Sequence, residues 1–96
     1  MALFVVRHQH PAERCPAKDP SMGAMLLNHL TEANAQHGVR IHGDAVVDGQ
    51  HTLYLILEAG DQATVDQYMA PFRMAGTVEV MPSSSCQEVV ARRGCA

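Results

Sequence analysis

The chain has no tryptophan, two tyrosines and two phenylalanines, and Lys, Arg, Asp and Glu together make up only 18% of its 96 residues. Beside 47% hydrophobic residues, so little charge excludes a disordered chain and predicts a surface poor in charge. Basic residues are not in excess. A net charge of -3 and an isoelectric point near 6.0 leave no basic stripe to grip a phosphate backbone, so nucleic acid is not an expected partner. No apolar run approaches a membrane span, and MALFVVRHQH has no basic residue ahead of its short apolar run, so no membrane segment or export signal is read there. Both GxGxxG and the P-loop pattern are missing, which argues against ATP or dinucleotide use. Asp44, Asp48, Glu58 and Asp61 form no pair at a spacing suited to acid–base chemistry.

Cysteine is also scarce. Cys15, Cys86 and Cys95 are an odd set in a chain without an export signal, which predicts reduced thiols and a cytoplasmic location. A chain of this length makes one domain, residues 1–96, and is small enough that a partner subunit would help, so a homodimer is expected.

What the chain does have is histidine and methionine, six of each. With aromatics so few, methionine is expected to take the core space they usually fill. Leu3 to His10 reads as a strand with Phe4, Val6, His8 and His10 on one face, ended by Pro11. PAERCPAKDP holds three prolines in ten residues and predicts a stiff, irregular connection. A helix follows, N-capped by Ser21 and stopped by Gly38, with Met22, Met25, Leu26, His29, Leu30 and Ala33 at helical spacing. Val39 to Val47 is a second strand, and Asp48-Gly49 marks a hairpin into a third, in which Leu53, Leu55 and Leu57 share a face. Gly60 and Asp61 open a second helix that Pro71 must kink or end, Thr77 to Met81 is a fourth strand, and Ser85 with Glu88 caps a short terminal helix.

This order is βαββαβ, an α+β ferredoxin-like arrangement: a four-stranded antiparallel sheet with helices on one face plus a short C-terminal helix. In that order and in HTLYLILEAGDQATVDQYMAPF the chain resembles small bacterial ferredoxin-like proteins that pair their sheets as dimeric α/β barrels, including muconolactone-isomerase-like and many uncharacterised members. The resemblance implies strand order 4-1-3-2 and a homodimer. It brings no catalytic signature, because such proteins range from isomerases and cofactor-free oxygenases to haem enzymes and metal-binding proteins.

That strand order places His10, at the exit of strand one, beside His51, at the entry of strand three. One end of the sheet–helix cleft then collects His8, His10 and His51, with Cys15 in the connection above and His29 pointing inward about 10 Å along the helix at a rise of about 1.5 Å per residue. Two imidazoles at i and i+2, roughly 7 Å apart at the backbone, can converge on a borderline metal. A thiolate beside them makes a set suited to zinc, nickel or copper. The expected centre is His8, His10 and Cys15 with His29 or His51 added, and Glu13 as an oxygen ligand or acceptor for an imidazole N–H.

Plainer readings stand beside this one. His8 and His10 at a strand end can simply meet solvent, and His29 on an apolar helix face reads more readily as a core histidine bonded to a carbonyl. His37 and His42 read as helix-end and strand-surface residues. Cys86 heads the terminal helix at the far end of strand one, and Cys95 is a tail thiol. Met22 and Met25 are soft copper(I) donors in principle, with core filling the stronger expectation. The competing function is a metal-free enzyme acting on a small organic molecule, with His8 or His10 as general base and Tyr54 or Tyr68 as donor. A third is a non-catalytic dimer whose cleft is only a core.

Overall fold

The computed structural model describes all 96 residues. Its elements are β1 (Ala2–Gln9), two single 3-10 turns (Ala12–Arg14 and Pro16–Lys18), α1 (Pro20–Thr31), α2 (Ala33–His37), β2 (Arg40–Val47), β3 (Thr52–Ala59), α3 (Gln62–Arg73), β4 (Thr77–Ser83) and α4 (Cys86–Ala91). The sheet runs β2-β3-β1-β4, antiparallel throughout, which is the ferredoxin-like topology. Register carries the strand parity into the core: Phe4, Val6 and His8 face Leu57, Leu55 and Leu53. All six are buried, and Val65, Tyr68 and Met69 of α3 close over this row with Ala33 and Val39. Burying each large apolar side chain stabilises the fold by about 1.5–3 kcal/mol, so β1, β3 and α3 hold most of the hydrophobic stability.

The other face alternates as a pleated strand requires. Val5 sits between Ile56 and Met81, and Arg7 lies between Tyr54 and Glu79, to which it is ion-paired at 3.1 Å. Tyr54, Ile56 and Met81 are exposed.

The region between β1 and β2 departs most from expectation. Asp19, not Ser21, caps α1, accepting from the Ser21 N–H at 2.8 Å, and Pro20 takes the first helical position, where its missing donor costs nothing. The single helix expected to reach Gly38 is broken at Glu32. Thr31 Oγ1 donates to the Leu27 carbonyl at 2.9 Å, a back-bond that commonly bends helices, and α2 restarts at Ala33. Gly38 does end it, at φ 68°, with the Val39 N–H reaching back to the Ala33 carbonyl at 3.1 Å.

The methionine expectation fails. Met69 alone of the six is buried, whereas Met22 is 46% and Met25 70% exposed, and α1 has no fully buried residue. Core space is filled instead by aliphatic residues with Phe4 and Tyr68. Because α1 does not close onto the sheet, a cleft stays open at the exit of β1.

Candidate metal centre

Pro11 ends β1 after His10, and the chain then folds through the two 3-10 turns. Arg14 N–H donates to the Pro11 carbonyl at 2.9 Å, Cys15 N–H to Ala12 at 3.3 Å and Lys18 N–H to Cys15 at 3.2 Å. These turns hold Cys15, extended and half-buried, between them. The β2–β3 connection uses four residues, with Gly49 at φ 74° and His51 at φ 49°. A left-handed non-glycine residue is strained by about 1–2 kcal/mol, and such strain gathers at functional sites. The His51 carbonyl accepts from the His10 N–H at 3.2 Å, tying the hairpin to the end of β1.

These three segments bring one ring nitrogen each from His10 and His51 and the Cys15 sulfur within 4.8 Å of one another. His8 stands behind this group, only 3% exposed. Its Nδ1 lies 2.9 Å from the Thr77 carbonyl, an atom that can only accept, so Nδ1 carries the proton and the neutral ring presents Nε2 as an acceptor. His10 Nδ1, 3.3 Å from that Nε2, must then donate. Its own Nε2 is left with a bare lone pair, and that atom is buried without any hydrogen-bond partner. Burial holds both rings below the ordinary imidazole range, and repulsion from His8 and His51 adds to it at His10. Both are therefore neutral at pH 7. Their ring centroids are 5.2 Å apart, and those of His10 and His51 5.4 Å.

Of the residues singled out in the sequence, the structure brings together His10, Cys15 and His51. His8 is adjacent, with both nitrogens already engaged. His29 lies elsewhere: its Nε2 donates to the Tyr68 carbonyl at 2.8 Å, its ring stacks on Tyr68 at 4.2 Å, and the Tyr68 hydroxyl donates to the His29 carbonyl at 2.8 Å. That reciprocal clasp is the carbonyl-bonded histidine of the plainer reading. Glu13, Cys86 and Cys95 are exposed and outside the group. Neither tyrosine is available as a donor here. The Tyr68 hydroxyl is fully committed and is pushed up to about 12 by burial, and Tyr54 sits on the opposite face of the sheet.

Two positioning features escaped the sequence reading. Thr77 acts through its backbone carbonyl, which no side chain announces. Gly76 precedes it, and a Cβ there would lie 2.0 Å from the Gln9 carbonyl oxygen and 2.9 Å from the His10 Cα, so only glycine lets the α3–β4 turn press on the exit of β1. The glycine itself was visible in sequence; its partner was not. A cavity of about 230 Å³ opens on the group, walled by His8, His10, Cys15, Leu26, Leu53 and Phe72 among others.

Among solved structures, the chain is similar to one described as an antibiotic biosynthesis monooxygenase, at 18% identity and a TM-score of 0.49, over 88% of this chain and 100% of that one. No curated protein matches it. A family model described as a domain of unknown function, DUF3303, matches residues 2–93, and the chain belongs to that family.

Proposed function

We propose that this protein binds a transition-metal ion through His10 Nε2, Cys15 Sγ and an imidazole nitrogen of His51. The unpartnered His10 Nε2 carries the reading. A buried polar atom left unsatisfied costs about 1–3 kcal/mol, and buried nitrogens normally have partners. Here the His8 relay fixes the tautomer that keeps this lone pair free, the role outer hydrogen bonds play behind metal-bound histidines. Two imidazoles and a thiolate suit zinc, nickel or copper, and a three-ligand set leaves a position open for sensing, metal transfer or a reaction. All three cysteines are free thiols, in keeping with a reducing, cytoplasmic setting. The row of exposed Met81, half-buried Val5 and exposed Ile56 beside Tyr54 supports a homodimer through the outer sheet face.

Metal analysis tests this on protein purified without a histidine tag. Wild type is expected to carry one equivalent of zinc, nickel or copper, and His10→Ala and Cys15→Ser to lose it. A wild-type protein that stays metal-free after incubation with all three ions would sink the proposal.

One observation favours a second reading, a metal-free enzyme for a small organic molecule. His10, whose Nε2 has no partner, lines a cavity whose wall includes Leu26, Leu53 and Phe72, and that nitrogen would act as general base once a ligand opened a way to it. That reading survives only if the metal test fails.

A further inference from the structure

We infer that the groove between α1 and α3 binds a small organic acid, its carboxylate on Arg14 and its apolar body along Phe72. This rests on the metal reading only for where the far end of the ligand lies, beside the open position of the His10, Cys15 and His51 centre.

The groove is a cavity of about 230 Å³ walled by Arg14, Met22, Met25, Leu26, Pro71 and Phe72 among others. It shares His8, Pro16, Leu26 and Phe72 with the cavity over the metal group, so the two adjoin. Cavities of roughly 150 Å³ accept a benzene ring, so a single ring with a short arm is a suitable size. Met22 and Met25 contribute exposed thioether chains that can repack around an apolar body.

Arg14 supplies the chemical class. It is the one permanently charged side chain on the groove wall, and Nη1 fastens it by donating to the Met74 carbonyl at 3.0 Å. The remaining guanidinium donors have no carboxylate: the ion pairs of the molecule are Arg7 with Glu79, Arg73 with Asp66 and His42 with Glu58. A planar fork of donors held at an apolar groove matches a carboxylate in both charge and shape.

Calorimetric titration of the metal-loaded protein with phenylpropionate and with its neutral amide tests this, with metal content measured in the same samples. The acid is expected to bind at least tenfold more tightly than the amide. Arg14→Gln should bring the acid down to the level of the amide while metal content stays unchanged. Absence of acid binding, equal binding of acid and amide, or a preference that survives Arg14→Gln overturns the inference. If wild type takes up no metal, the metal reading fails instead, and the same titration on the metal-free chain decides this inference by the same criteria.

Discussion

Phe72 separates two groups of histidines, with ring centroids 5.2 Å from His8 on one side and 5.6 Å from His29 on the other. On the His29 side, histidine and Tyr68 exchange hydrogen bonds with each other's carbonyls, and the rings stack within 6° of parallel. That pair joins α1 to α3. On the other side a similar backbone anchor, His8 to Thr77, is followed by a second histidine, and the relay ends in a bare nitrogen. One donor–acceptor chain closes on itself and stabilises; the other ends in an acceptor without a partner.

The largest expected contrast comes from truncating one histidine on each side. His10→Ala should reduce zinc affinity by more than the roughly 10–100-fold typical of losing a metal ligand's hydrogen-bond partner, with little loss of stability. His29→Ala should do the reverse, costing about 2–3 kcal/mol in denaturant unfolding through the lost bond and stack while zinc stoichiometry stays intact. If His29→Ala also empties the site, the two groups are not separate.

Gly76→Ala should damage both properties. With no room for a Cβ against Gln9 and His10, the backbone must shift, at a cost of about 1–3 kcal/mol, and zinc affinity should fall although no ligand is touched. Intact affinity in a destabilised variant would show that the turn does not position His10.

Acid titration of the metal-free protein probes the open relay. His8 and His10 titrate below the ordinary imidazole value of about 6.5, so the unfolded chain takes up protons first as pH falls. Their contribution is fully present above that value and is lost as pH drops through the lower folded values. Unfolding midpoints should decline below about pH 6.5, and more gently in His10→Ala.

The smallest effect is the most diagnostic in sign. His51→Gly removes a left-handed side chain and should leave stability unchanged or raise it by about 1 kcal/mol while abolishing metal binding. A clear loss of stability would mean that His51 is a packing residue.

Much of the frame was legible because it depends on local chemistry and period. Alternation in FVVRH and LYLIL placed Phe4, Val6, His8 and the three leucines on one face, and Gly38, Asp61 and Ser85 marked helix ends that the structure keeps. The cap at Asp19 and the break at Glu32 were missed because several nearby residues were competent, and tertiary fit selected among them.

The sequence by itself determined the βαββαβ order, the face that His8 occupies and the tight prolyl connection that carries Cys15. These follow from the two-residue period of a strand and the fixed φ of proline. Strand order already set His10 beside His51, but which of the candidate histidines gather with Cys15 was decided by tertiary structure. His8 and His10 have the spacing of paired ligands, yet a carbonyl from β4 fixes the proton on His8 and turns it into the support of His10, while a hairpin bend delivers His51 in its place. Spacing sets distance along one strand. The proton positions and the third donor depend on backbone groups 69 and 41 residues away in the chain, which only folding brings near.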